Sequence, residues 1–181
     1  FSDSEWNRFF KTSIASSKDG KDGIVYRTRK IQEDHVQVLV RDDGMSQNIM
    51  LIDRKNIHNN RLQVINQFAI GKSEGARQNN RYDVTILVNG LPLVHIELKR
   101  RGVEIREAFN QINRYQRESF GAGHGLFQFV QIFVISNGTD TKYYSNTTRF
   151  RAVKDSQTGE SKKEKTSNSF EFTSHWADSK N

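Results

Sequence analysis

Apolar residues along the chain switch between two periods, and the switches mark out its elements. Ser2 followed three residues later by Glu5 has the form of a capping box and opens a predicted helix through Trp6, Phe9 and Phe10. Residues 35–40, HVQVLV, alternate as a strand does. Residues 48–53, NIMLID, form a second apolar run, and 61–68, RLQVINQF, a third whose type the pattern leaves open. A polar loop, GKSEGARQNN at 71–80, leads into two apolar runs joined by Asn89-Gly90, a dipeptide that tolerates positive φ and signals a hairpin. From 104 to 118 the spacing becomes helical: Ile105, Ala108, Phe109 and Ile112 form one stripe, with Glu104 and Glu107 early and Arg114 and Arg117 late. GAGHG at 121–125 breaks the chain before FQFVQIFVIS at 127–136, a predicted buried strand, and Asn137-Gly138 turns it into TDTKYYSN. There Tyr143 and Tyr144 either pack or stack on a base, with packing favoured. Residues 151–168, rich in Lys, Ser, Thr and Glu, predict a flexible polar loop or linker, after which FEFTSHWA regains hydrophobicity.

The hairpin segment RYDVTILVNGLPLVHIELKRRG, residues 81–102, carries three charges of special interest: Asp83, Glu97 and Lys99. Alternation along a strand puts Glu97 and Lys99 on one side and Ile96 and Leu98 on the other. A three-residue loop of Asn89, Gly90 and Leu91 would pair Val88 with Pro92 and set Asp83 opposite Glu97 on the same face. A two-residue loop reverses that parity, because a slip of one residue exchanges the faces. Hard divalent cations such as Mg2+ take oxygen ligands, commonly one or two carboxylates with waters and phosphate oxygens. A lysine beside such a cation orients or deprotonates a water and stabilises charge building on a phosphate under attack. That is the chemistry of phosphodiester hydrolysis. The same residues also fit the ordinary polar positions of a half-buried hairpin, with a weak Glu–Lys surface pair.

Gln111 and Tyr115, four apart, project from neighbouring turns of the predicted helix beside its apolar stripe. Alone they read as a polar boundary; directly after a Glu-x-Lys strand they extend the candidate site.

Charge adds a partner class. The 181 residues suit one domain with a real core, and their net charge of +7 favours a polyanion. Lys99, Arg100, Arg101, Arg106, Arg114 and Arg117 against Glu104 and Glu107 concentrate positive charge beside the candidate site. Arg100 and Arg101 are candidates for phosphate contact, a sequence-independent contribution weakened by salt, or else form a solvated strand end. The absence of Cys excludes disulfides and thiolate metal sites and suits a reducing cytoplasm. No apolar run reaches membrane-span length, no secretory signal is visible, and no phosphate-binding Gly-x-x-x-x-Gly-Lys loop occurs. Of the five histidines only His95 shares the predicted face of Glu97 and Lys99, where it lines the site or satisfies a polar core position.

Asp83, then Glu97-Leu98-Lys99, then Gln111-x-x-x-Tyr115 on a helix resembles the PD-(D/E)XK nuclease core in the variety that carries a Gln-x-x-x-Tyr motif. The fuller string RYDVTILVNGLPLVHIELKRRGVEIREAFNQINRYQRESF, followed by FVISNGTDTKYY, closely resembles the amino-terminal nuclease domain of type I restriction enzyme R subunits, in particular the type IC group, over residues 50–149. The resemblance implies an α/β restriction-endonuclease-like core, a mixed sheet flanked by helices. It implies a core over 1–150, a linker at 151–168, and at 169–181 a lead toward motor domains beyond this chain. By the same resemblance, Asp83, Glu97 and the backbone carbonyl of Leu98 bind Mg2+, Lys99 is the catalytic lysine, and Gln111 and Tyr115 support the site or contact DNA. The family often adds an acidic residue from an upstream helix. Glu5 is the candidate here, or the matching helix precedes Phe1, since a chain without an initiating Met suggests truncation or disorder at that end.

The implied whole enzyme uses ATP in its own translocase domains. It works on double-stranded DNA with methylation (M) and specificity (S) subunits, and cuts nonspecifically away from its recognition site in bacterial defence. Two other readings stay open: a noncatalytic basic docking module, and a regulatory domain coupling the motor to cleavage.

Overall fold

The computed structural model describes residues 1–15, 23–70, 80–120, 125–146, 149–154, 158–159, 161–166 and 168–177. The polar loop expected at 71–80 lies outside the described residues except for Asn80, as does the break at 121–125 except for Gly125.

Helix α1 (Asp3–Phe9) begins at the expected capping box: the Glu5 N–H donates to the Ser2 hydroxyl, and the Ser2 N–H donates to the Glu5 carboxylate at 2.8 Å. A π-helical turn, Phe10–Ile14, continues it, and α2 spans Gly23–Gln32. Strands β1 (Val36–Val40) and β2 (Ser46–Met50) pair antiparallel, so the second apolar run is a strand only in its first half, and Leu51 beyond it enters the core.

The run left open at 61–68 is strand β3 (Leu62–Ile70). It edges a mixed sheet with β4 (Asn80–Val88), β5 (Leu91–Leu98), β6 (Ile132–Ser136), β7 (Thr141–Ser145) and a short strand near the end of the chain, Ser174–His175. Among the described strands only β5 and β6 pair parallel, and the chain between them contains helix α3 (Ile105–Glu118), the crossover that parallel pairing requires. Arg149–Lys154 and Ser161–Thr166, β8 and β9, pair as an antiparallel ribbon where the polar composition had suggested a loop; the Ser174–His175 strand is β10. This arrangement is the α/β class with a mixed sheet and helices that the resemblance implied.

The apolar stripe of α3 explains its position. Ile105, Ala108, Phe109, Ile112 and Tyr115 are buried against Tyr82, Phe133, Ile135 and Tyr144 of the sheet. A second cluster joins Phe9, Ile14, Ile31 and Leu39 from the amino-terminal elements to Leu91 and Phe129. Burying a side chain such as Ile112, which is wholly inaccessible, stabilises the fold by roughly 1.5–3 kcal/mol. Tyr144 packs on Phe109 and Phe133, whereas the half-exposed Tyr143 meets Trp176 edge-on.

The β4–β5 hairpin corrects the predicted register. Its loop is two residues, Asn89 and Gly90, both at positive φ (51° and 84°), and Val88 pairs with Leu91 rather than Pro92. The parity change is undone two residues later. Leu87 pairs with Pro92 but Ile86 with Val94, so Leu93 is an extra residue in β5 and restores the alternation that pairs Thr85 with His95 and Val84 with Ile96.

Candidate functional site

β5 reverses the usual burial logic at its carboxyl end: the charged Glu97 is only 1 % exposed while the apolar Leu98 is 46 % exposed. The alternation that puts His95 inside also puts Glu97 inside, and Lys99 follows on the same side. Continued pairing of the Lys99 N–H with the Ser136 carbonyl of β6, at 2.8 Å, extends the strand geometry through the lysine.

Asp83 arrives differently. The β4–β5 ladder stops at Val84↔Ile96, and on the other side of β4 the Asn66↔Val84 and Phe68↔Tyr82 pairs bracket Gln67 and Asp83. Gln67 takes φ 53°, a value uncommon for a residue with a Cβ, and the buried positions of β4 shift from Asn80 and Tyr82 to Thr85. This local break lets Tyr82 and Thr85 both enter the core and directs the Asp83 carboxylate across the hairpin, where Oδ2 accepts the Leu98 N–H at 2.9 Å. Gln67 donates to the other oxygen at 3.4 Å.

Lys99 Nζ lies 3.4 Å from Glu97 Oε1 and donates to Gln111 Oε1. Gln111 Nε2 in turn donates to the Tyr115 hydroxyl, which donates to the Arg81 carbonyl at 2.9 Å. A continuous set of contacts therefore runs from the lysine through α3 to the β4 backbone, two residues from Asp83. The structure brings all five predicted residues into one cluster.

Burial pushes the Glu97 carboxyl above the ordinary carboxylate range; the contact with His95 opposes the rise, the Asp83 charge adds to it, and Lys99 opposes it. Burial likewise raises the Tyr115 hydroxyl, against the hydrogen bond from Gln111. Lys99, with its side chain 19 % exposed, and the half-buried Asp83 are the charged groups of the cluster that keep some access to solvent.

Other predicted positions separate from the cluster. Arg100 and Arg101 are exposed on the turn after β5, with Arg101 Nη2 reaching the Gly138 carbonyl at 3.3 Å. Glu5 is engaged by the N–H groups of Ser2 and Asp42 and by Arg41 at 3.6 Å, which gives it a structural task at the start of α1. Its carboxyl is held below the ordinary range chiefly by those backbone donors, that of Asp42 first.

Two neighbours were not assigned to the site by sequence reasoning. Gln67 sat in a run of open type, and only its side-chain contact with Asp83, where the β3–β4 ladder is interrupted, identifies it. Thr85 shows itself only through its pairing with His95.

Among the described residues no three His, Cys, Asp or Glu side chains gather into a metal cage. The available oxygen donors are the two carboxylates and the adjoining main chain. Among the same residues no helix is long and apolar enough to cross a membrane.

Comparison with known proteins gives the family of the chain. Residues 2–152 match the model of the family described as type I restriction enzyme R protein N terminus. The Type I restriction enzyme EcoprrI endonuclease subunit of Escherichia coli is 52 % identical over all 181 residues, which span 51 % of that protein. The SauMSSORF170P endonuclease subunit of Staphylococcus aureus is 44 % identical over 128 residues, 71 % of this chain and 13 % of the relative. A putative type I endonuclease subunit, MjaIXP of Methanocaldococcus jannaschii, is 33 % identical over 104 residues, 55 % of this chain and 9 % of the relative. The chain thus spans about half the length of the Escherichia coli relative and far less of the others. A match that takes in the hairpin, the helix and the sheet that hold the cluster together assigns this chain to the type I restriction enzyme R protein N-terminal family.

Proposed function

We propose that this chain is the Mg2+-dependent DNA-cutting domain of an ATP-dependent type I restriction enzyme, with its nuclease core in residues 1–150. The observation that carries the reading is the convergence of Asp83, Glu97 and Lys99 at the ends of β4 and β5, with Lys99 tied to Gln111. The names of the relatives, all type I endonuclease subunits, support it.

The donor set fits a hard divalent cation. Glu97 brings a buried carboxylate whose Oε1 lies 3.4 Å from Lys99 Nζ, Asp83 brings a second, and two carboxylates with waters are a usual Mg2+ environment. Asp83, Glu97 and the Leu98 carbonyl would hold the ion. Bound there, it supplies Lewis-acid neutralisation of a phosphate and lowers the pKa of a water.

The chain's own groups do the rest. Lys99, held by Glu97 and Gln111, orients the attacking water and stabilises the charge that builds on the phosphate. Gln111 and the buried Tyr115 position Lys99, and the half-buried Gln111 edges the DNA path. Arg100 and Arg101, exposed beside the site, neutralise phosphates without reading sequence, which suits nonspecific cutting of double-stranded DNA. Methylation and specificity subunits, and ATP used by motor domains outside this chain, would bring DNA to it in the cytoplasm.

The test is DNA cleavage by Lys99→Ala and Asp83→Ala in the complete enzyme, with ATP hydrolysis recorded in parallel. Loss of one of these groups lowers cleavage by about 10²–10³-fold while ATP turnover persists. Cleavage retained by both variants overturns the assignment and favours the docking module.

A further inference from the structure

His95 is fully buried, two residues before Glu97 on the same face of β5. Its ring sits in an aromatic enclosure, with centroids 5.4 Å from Tyr82, 6.0 Å from Tyr115, 5.8 Å from Phe120 and 6.4 Å from Phe133, each met edge-on. If the imidazole were only filling volume, any ring of its size would serve there. Both of its nitrogens, however, point at polar atoms: Nδ1 lies 3.4 Å from the Thr85 hydroxyl and Nε2 lies 3.5 Å from Glu97 Oε2.

We propose that His95 is a positioning residue for Glu97: its Nε2–H, fixed by Thr85 at Nδ1, holds the inner carboxylate oxygen and presents the outer oxygen to Lys99 and to a divalent cation. The inference rests on the metal-binding reading of Asp83 and Glu97. Its physical basis is the split environment of the carboxylate. Oε1 faces Lys99 Nζ, whereas Oε2 is enclosed and has no hydrogen-bond partner, and His95 Nε2 is likewise without one. At 3.5 Å the two unpartnered atoms face each other, slightly beyond a well-formed hydrogen bond, and small movements of Glu97 bring them into range. Thr85, itself buried, fixes the ring: with its hydroxyl donating to Nδ1, the proton resides on Nε2 and faces the carboxylate. A ligating carboxylate that is itself hydrogen-bonded loses fewer orientations on binding a cation, and removing such a supporting partner typically costs about 10–100-fold in metal affinity.

The experiment measures Mn2+ binding to the full chain through loss of the free-ion EPR signal, independently of DNA cutting, for wild type, His95→Gln, His95→Leu and Asp83→Asn. Thermal melts in EDTA accompany each variant, so that loss of fold is seen separately. Gln retains an N–H donor at the reach of Nε2; Leu retains bulk without one. The expected result is metal affinity weakened about 10–100-fold in the Leu variant and largely restored in the Gln variant. Should His95→Leu unfold in EDTA, Gln against Met decides by the same criterion. Wild-type affinity in the Leu or Met variant, or equal loss in Gln and the apolar variant, overturns the positioning role while the metal site stands if Asp83→Asn abolishes binding. Wild-type affinity in Asp83→Asn overturns the metal site and the role of His95 with it.

Discussion

Replacing Tyr115 by Phe removes a single oxygen from the chain of contacts that ends at Lys99. That oxygen accepts from Gln111 Nε2 and donates to the Arg81 carbonyl at 2.9 Å. Each such bond contributes a net 0.5–1.5 kcal/mol, so losing both costs about 1–3 kcal/mol. In a chain of 181 residues that lowers the melting temperature by roughly 2–12 °C, too little to unfold it at 25 °C. The larger effect falls on the lysine. Gln111, freed from Tyr115, no longer fixes its carbonyl oxygen against Lys99 Nζ, and a displacement of about 1 Å at a reacting group can cost 10²-fold in rate. Single-turnover cleavage by the complete enzyme should therefore fall about 10–100-fold, with ATP hydrolysis unchanged. Because the tyrosine acts through the lysine, Tyr115→Phe added to Lys99→Ala should lower the rate little further, as residues acting in one unit are strongly non-additive. Wild-type cleavage in Tyr115→Phe, or a double variant slowed by the full product of the two single losses, refutes the coupling.

Further expectations concern stability and DNA. The folded-state pKa of Glu97 is raised by burial, so the native state binds this proton more tightly than the unfolded chain. In EDTA this contribution is favourable below the ordinary carboxylate pKa and is lost as pH rises through the raised one. Glu97→Gln should accordingly melt higher than wild type at neutral pH, by about 0.5–2 kcal/mol, and show no such gain at pH 4; a variant less stable at neutral pH counts against the buried-charge account. Ile112→Ala, at a wholly buried position facing the sheet, should cost about 2–5 kcal/mol in denaturant titrations, and a cost under 1 would mean that α3 is not held by this stripe. The Arg100→Ala, Arg101→Ala double variant should reduce the slope of log DNA affinity against log salt by about 1.8, at 0.9 per phosphate contact; an unchanged slope removes both from the interface.

The parts of the fold legible in the sequence are those in which a local pattern and the tertiary structure ask for the same residue. The α3 stripe is one, since Ile105, Ala108, Phe109 and Ile112 at helical spacing are also the residues buried against the sheet. The capping box of Ser2 and Glu5 is another, complete within four residues. β3 was ambiguous because it lies at an edge with most of its length exposed, so neither face imposed alternation, and its state is decided by pairing with β4. Asn89-Gly90 announced the turn, but nothing local announced that Leu93 would be an extra residue. Loop length alone would have put Asp83 on the wrong side of the hairpin, and the bulge returns it.

The candidate site was legible through the spacing of Asp83, Glu97-x-Lys99 and Gln111-x-x-x-Tyr115, and the structure adds residues there that contradict their surroundings. A hairpin built for stability alone would not bury Glu97 while exposing Leu98 on the same strand, nor sit beside a Gln67 with φ near 53° at Asp83. Both features cost free energy in the folded chain, through desolvation of a carboxylate and through an unfavourable backbone conformation. The partly satisfied polar network places those costs together: Glu97 Oε2 and His95 Nε2 are unpartnered, while Lys99, Gln111, Tyr115 and the Arg81 carbonyl are fully linked. Such a division makes sense if the linked half fixes an ammonium while His95 Nε2 and Glu97 Oε2 close on each other and leave Oε1 of the carboxylate for a cation. Neutralising Glu97 should then stabilise the metal-free chain and cripple the loaded one, and a single substitution that moves stability and activity in opposite directions separates a site built for chemistry from a polar hairpin that is merely buried.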